Sequence, residues 1–324
     1  MNNKEILELL EDLDDIMYDS SRLKNILRLD NNLINFEVIN RILIEIQSDT
    51  NKPAFELKSR KEWELENRTV IEGQQPIYIT VPVYQTCYID AEKDVEITDD
   101  DKLTYDELVK AVELGLVIKT EDMSSMSVIP VFDIRQTKSL LNKYEVKRIR
   151  LSTSKILEMT SNLMKCTIQQ GNVYKYIKDT NTLITKKGNY TEIVDALSSI
   201  LSKYLINNKL KNILLSTKEN SDSYITNDDL DFIYKGLTYA INTLLGGTLN
   251  TDISIKNNIT ANKFIYMVNC IQCLASEVIN YLMSDDSTMS GIVSDYISNI
   301  SRIKKAEAIL AIMEANDIHK VVTG

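Results

Sequence analysis

The 324-residue chain carries 37 Lys+Arg against 47 Asp+Glu, a formal net charge of −10, and 44% of it is hydrophobic. That is enough for a sizeable core and points to about two domains, not a disordered chain, and no apolar run reaches the ~18 residues of a membrane span. A single histidine, His319, excludes sites needing two histidines, such as H-E-x-x-H zinc centres, and leaves any His-dependent triad without support.

The remaining counts narrow the field. Nine glycines, with no G-x-G-x-x-G and no G-x-x-x-x-G-K-[ST], leave out the common phosphate cradles. Four cysteines do not make a disulfide framework, which points to a reducing, cytoplasmic setting. The acidic, periodic stretch Met1 to Asp19 does not read as a signal peptide. Together these counts argue against an enzyme. The charge is also uneven: residues 1–137 hold 15 cations and 29 acids, whereas 151–324 hold 17 of each.

In chain order, residues 3–17 read as an amphipathic helix through Ile6, Leu9, Leu10, Leu13, Ile16 and Met17, and 21–29 as its continuation or a second helix. Residues 36–47 form another, with Ile39, Ile42, Leu43 and Ile46 on one face and Asn40 and Gln47 as a polar pair. The period then changes to two over 77–89, where Tyr78, Tyr84 and Tyr88 oppose an Ile/Val face. Pro82 within it implies an edge strand, or two strands joined there. The run Thr104-Tyr-Asp-Glu107 is a capping box opening a short helix that Gly115 closes, and 128–134 reads as a strand. Residues 135–155 are basic: Arg135, Lys138, Lys143, Lys147, Arg148, Arg150 and Lys155 against Glu145. The rest is mainly helical, over 154–169, 190–214, 228–245, 261–283 and 288–315, with an extended piece at 173–186.

Several residues invite a functional reading beside a plain one. Trp63, the only tryptophan, is either a base-stacking platform or a core ring. Lys52, Lys58, Arg60, Lys61 and Arg68 are interleaved with Glu56, Glu62, Glu64 and Glu66, so they form either a phosphate-binding cluster or a self-neutralising surface. The strand tyrosines either stack on unpaired bases or follow ordinary strand preference. Cys270-Ile-Gln-Cys273 has C-x-x-C spacing without a second donor pair, and reads as two small residues on one helix face.

The segments Asn40-Arg-Ile-Leu-Ile-Glu-Ile-Gln47, Trp63, Asn67-Arg68-Thr-Val70-Ile-Glu-Gly73, Pro76-Ile77-Tyr-Ile79-Thr-Val-Pro82 and Val131-Phe-Asp-Ile-Arg-Gln-Thr137 follow one another in a recognisable order. In that order they resemble the N-terminal single-stranded-DNA-binding domain of ArdC-type antirestriction proteins and their LtrC-like relatives on plasmids and phages. Asn67 stands where the family pattern has Gly, and Glu72 and Gln74 stand where it has Lys and Glu. In many relatives a metallopeptidase domain with H-E-x-x-H follows. The corresponding segment here is Thr191-Glu192-Ile193-Val194-Asp195, with Lys235 near the third-ligand position. The resemblance therefore implies a zincin-like second half without its metal.

The expectation is an α+β protein: an ArdC-like N-terminal domain over 1–137 with a short sheet, a basic linker over 138–155, and a mostly helical, degenerate metallopeptidase-like domain over 156–324. It is expected to be non-enzymatic, with no cofactor and no metal, and to protect mobile DNA from host defence by binding single-stranded DNA. Trp63 would stack, Arg68, Arg135, Lys58, Arg60 and Lys61 would neutralise phosphate, and Gln136 would position. The alternative is an acidic interaction protein that blocks a host nuclease or CRISPR effector by direct contact, since residues 1–137 would on the whole repel a polyanion.

Overall fold

A computed structural model describes residues 3–9, 13–29, 36–48, 54–93, 95–97, 104–139, 151–210, 225–256 and 259–284. The architecture is α+β. Four helices open the chain: α1 (Asn3–Leu9), α2 (Leu13–Met17), α3 (Ser20–Leu27) and α4 (Val38–Gln47). Asp19 caps α3 by accepting from the Ser21 and Arg22 backbone N–H groups at 2.7 and 3.1 Å.

Helix α4 departs from its one-faced pattern. Every residue from Val38 to Glu45 is buried. Ile42 and Leu43 join the main core, while Ile44 joins a smaller one with Leu57, Ile77, Ile79 and Val131. The helix is a shared wall, so its charged residues are enclosed and need partners. Arg41 donates to the carbonyls of Ile26 and Phe36 at 3.0 and 3.1 Å. Glu45 accepts from Asn25 at 3.2 Å and lies 3.6 Å from the Arg22 guanidinium.

The β part comprises β1 (Leu57–Lys58), α5 (Arg60–Leu65), β2 (Arg68–Val70), β3 (Ile77–Asp90), β4 (Val95–Ile97), α6 (Tyr105–Glu113), β5 (Val117–Asp133) and β6 (Thr137–Ser139). One sheet has the antiparallel order β1-β5-β3-β4, and β2 pairs separately with β6. Strands β3 and β5 form a long ribbon from Ile77↔Val131 to Asp90↔Val117. The strand expected at 128–134 thus begins at Val117. Its first half is polar and lacks apolar alternation, so pairing with β3 creates it. Opposite the Val83–Tyr84 step, β5 carries one extra residue, a bulge. Pro82 lies within β3 as a single strand, and the unpaired edge beside it asks for no donor there. The capping box at Thr104 and the left-handed Gly115, with φ +71°, bound α6 as its sequence indicates.

After residue 151 come α7 (Thr153–Met164), β7 (Thr167–Gln170), β8 (Lys175–Ile177), β9 (Thr182–Thr185), α8 (Tyr190–Leu205), α9 (Asn227–Leu244) and α10 (Ala261–Ser284). A π-turn, Ile206–Leu210, continues α8. Helix α7 stops earlier than its expected end at 169, because Lys165 turns left-handed and Thr167–Gln170 pairs in parallel with β9. The extended piece supplies β8 and β9, and β7 joins them in a three-stranded sheet of order β7-β9-β8. Residues 211–214, the 288–315 helix and His319 lie outside the described residues, as do Lys52, Lys143, Lys147, Arg148 and Arg150.

One buried cluster holds Ile16, Leu23, Ile26 and Leu43 together with Ile156, Leu197, Leu237, Phe264 and Leu274. The opening helices therefore share their core with the helices beyond 151, and that core crosses the expected boundary at 137–155. Among the described residues no helix is long and apolar enough to cross a membrane.

Candidate nucleic-acid interface

The residues singled out between 56 and 70 meet those between 131 and 139 at one corner. Strand β1 lies beside the end of β5, pairing Leu57 with Asp133 and Lys58 with Phe132. Cross-strand partners share a face, so Lys58 and Phe132 look one way and Leu57 and Asp133 the other. On the first face Trp63, Val70 and Phe132 form a small core. The Lys58 ammonium lies 4.8 Å and the Arg68 guanidinium 5.7 Å from the Trp63 ring centroid, and the Arg60 guanidinium lies 5.3 Å from that of Phe132. These are cation–π distances.

Sequence places α5 here. Ser59 accepts from the Glu62 N–H, and Glu62 returns an acceptor to the Ser59 N–H at 2.7 Å, closing a capping box. On the opposite face Asp133 is almost wholly enclosed. It accepts from the Phe55 N–H at 2.6 Å, the Arg135 N–H at 2.9 Å and Arg135 Nε at 2.6 Å. The motif Val131 to Thr137 is thus a built corner in which the carboxylate gathers three donors around a single helical turn.

Only part of the expected contact set faces solvent. Trp63 is 0% exposed and donates its indole N–H to the Phe132 carbonyl at 2.8 Å, so the stacking role assigned to it is corrected: the ring is a core residue. Arg68 is 8% exposed, and its Nε donates to Thr137 Oγ1 at 2.8 Å, so the guanidinium is spent inside the corner instead of on phosphate. Gln136 is spent as well: its amide accepts from the Asp133 N–H and donates to the Gln75 carbonyl, both at 2.7 Å. Lys58 pairs with Glu56 at 2.7 Å and with Glu66. Arg60, Lys61 and Lys138 are exposed. Arg135 is 44% exposed and is held by Asp133, from the other face of the β1–β5 ladder. Of the strand tyrosines, Tyr78 packs against the main core, and the Tyr84 side chain lies outside the described residues.

In the helical half the residues aligned with a zinc site do not fit the ion. Asp195 accepts from Asn242 at 2.7 Å, Glu192 lies 3.3 Å from Lys186, and Lys235 lies 2.9 Å from Asp231. Zinc needs deprotonated N, S or O donors converging at about 2.0–2.3 Å. Among the described residues no three His, Cys, Asp or Glu side chains are gathered in that way. Cys270 is buried on α10, and burial pushes its thiol up to about 12, which makes it inert.

The chain is similar in structure to an antirestriction protein. Two crystal structures of the antirestriction ArdC protein from R388 plasmid match it. The Mn(II)-bound structure matches at 9% identity with a TM-score of 0.47, covering 88% of this chain and 100% of that chain. The metal-free structure matches at 10% identity with a TM-score of 0.38, covering 82% and 86%. No protein-family model and no curated protein matches the sequence.

The departure at Asn67 has a local explanation. Asn67 adopts φ +57° between α5 and β2, a left-handed conformation that asparagine tolerates better than other residues with a side chain. The role of Asp133 was not legible beforehand. A lone aspartate in an apolar run signals a turn, and only the fold brings the Phe55 N–H to it.

Proposed function

We propose that this chain is a non-enzymatic, antirestriction-like protein that contacts single-stranded DNA through the corner described above and so shields mobile DNA from host defence. One observation carries the reading: two exposed cations stand on a rigid aromatic corner, with Arg60 seated on Phe132 and Lys61 next to it at the start of α5. Trp63, Arg68 and Gln136 hold that corner. Arg60 and Lys61 supply the phosphate contacts on this face, Arg135 adds one from the other face of the ladder, and the ion pairs of Lys58 with Glu56 and Glu66 weaken its part. The motif string between Asn40 and Thr137, which resembles ArdC-type DNA-binding domains, supports the same reading.

The test is a polarisation titration of a labelled single strand bearing a 5′-hydroxyl, at two salt concentrations. Saturable binding is expected, with log K falling against log salt by about 0.7 per phosphate contact. Arg60→Glu with Lys61→Glu should remove most of the affinity. Absence of binding at low salt would overturn the proposal.

A second reading is favoured by the far end of the β3–β5 ribbon. There Val109, Leu114, Leu116 and Ile118 are exposed together, next to Glu107 and Glu113 on α6. An apolar tip with an acidic rim suits a cationic protein partner, such as a host nuclease or CRISPR effector. Retained protection in cells by the Arg60→Glu/Lys61→Glu variant, lost on Leu114→Lys/Leu116→Lys, would select it.

A further inference from the structure

A cleft of about 460 Å³ lies between β8 with its following turn and one face of α8. Its volume falls within the range of small-molecule sites. Lys175, Lys178 and Lys203 line it together with Tyr174, Tyr176 and Tyr204, and among the described residues no Asp or Glu does. Among the described residues none of these three ammonium groups makes an ion pair, whereas Lys186 pairs with Glu192 at 3.3 Å and Lys209 with Glu277 at 3.5 Å. All three lysines are exposed, and Lys203 lies 5.4 Å from the Tyr234 ring centroid, so they give this cleft a cationic lining within a chain of net charge −10.

The rest of the lining fits a phosphorylated, flat ligand. Tyr176 and Tyr204 meet edge to face, with ring centroids 5.9 Å apart, an arrangement that leaves aromatic surface on the cleft. The Tyr174 hydroxyl is enclosed and has no hydrogen-bond partner among the described residues. It lies beside Gly188, where a Cβ would come within 2.6 Å of it and 2.9 Å of Glu192 Oε2. At the far end the π-turn after α8 brings Asn207 and Asn208 to the lining, and Asn208 already donates to the Tyr204 carbonyl at 2.7 Å. A π-turn of this kind often marks a site, because the widened backbone re-aims its side chains. Amides of this type read the edges of nucleobases.

We propose that this cleft binds a nucleoside monophosphate, the lysines taking the phosphate and the tyrosines and asparagines taking the base. The unit is either free nucleotide or the 5′-phosphorylated end of a strand. The proposal does not rest on the DNA-binding corner, which lies in a different part of the chain.

The experiment is calorimetric titration of the full chain with dAMP, deoxyadenosine and inorganic phosphate. Saturable dAMP binding with Kd of about 1 mM or tighter is expected, with the nucleoside and phosphate each at least about tenfold weaker. Lys178→Glu with Lys203→Glu should weaken dAMP about tenfold or more, and the exposed Lys175→Glu should do so alone if the double variant fails to fold. Arg60→Glu/Lys61→Glu should leave dAMP binding unchanged, which separates this site from the proposed corner. A 5′-phosphorylated oligonucleotide that competes with dAMP identifies the strand end as the source, and one that does not identifies the free nucleotide. No dAMP binding, equal binding of deoxyadenosine, or full binding by the lysine variants would overturn the proposal.

Discussion

The side-chain amide of Asn40 binds the backbone of Thr80 as a neighbouring strand would. Its Nδ2 donates to the Thr80 carbonyl at 2.7 Å, and its Oδ1 accepts from the Thr80 N–H at 2.8 Å. Two turns along α4, Gln47 does the same for Tyr78, donating at 2.8 Å and accepting at 2.9 Å. Alternate residues of a strand present their backbone groups to the same edge, so the two amides close a stretch of the β3 edge that no described strand covers. Pro82, the next residue in that series, has no N–H to close.

Asn40→Ala should therefore destabilise the protein by about 2–4 kcal/mol, because it strands a buried N–H and a buried carbonyl at once. Asn40→Asp keeps the acceptor and loses the donor, and should not restore stability. Urea unfolding measures both. A loss below about 0.5 kcal/mol for Asn40→Ala would show that the edge is closed by other means.

Trp63→Phe separates folding from binding. It removes the bond to the Phe132 carbonyl and part of a fully buried ring. A cost of about 2–3 kcal/mol in stability is expected, with single-strand affinity of the folded protein unchanged. A stacking residue would show the reverse, with stability kept and affinity lost.

Glu45 sets a pH dependence. Burial, only partly offset by Asn25 and Arg22, raises its carboxyl from 4.5 to about 7. Between those values the folded state holds a proton that the unfolded chain has released, so this group's contribution to stability falls as pH rises from 5 to 7 and levels off above. Glu45→Gln should flatten that part of the profile and gain roughly 2–3 kcal/mol over wild type at pH 8 relative to pH 5. Parallel wild-type and variant profiles would refute the assignment.

Asn242 ties α8, α9 and the following loop together. It donates to Asp195 at 2.7 Å and accepts from the Leu249 N–H at 3.0 Å. A Cβ at Gly247 would come within 2.3 Å of its Oδ1. Gly247→Ala should lower thermal stability by about 1–3 kcal/mol. In an Asn242→Ala background the added cost of Gly247→Ala should vanish, the signature of a coupled pair in a double-mutant cycle.

Local patterns foretold the helix ends at Thr104 and Gly115, because caps and left-handed turns depend on a few adjacent residues. They also marked the alternation of β3 and the bounds of α9 and α10. The first half of β5 is hidden because its partner lies 27 to 42 residues away, from Asp90↔Val117 to Val83↔Ser125, and its own composition of Thr, Glu, Asp and Ser carries no period. The Lys175–Lys203 cleft is hidden for the same reason: its two walls are unremarkable until packed.

For the site, residue type indicated which groups to examine, and burial decided what each one does. Composition and order alone established an acidic α+β chain with one histidine and a cation-bearing segment around one tryptophan. Whether Trp63, Arg68 and Gln136 meet a ligand or hold the corner was decided only when β1 came to lie beside β5. Solvent exposure is a property of the packed chain, set by partners distant in sequence, and no local spacing encodes it.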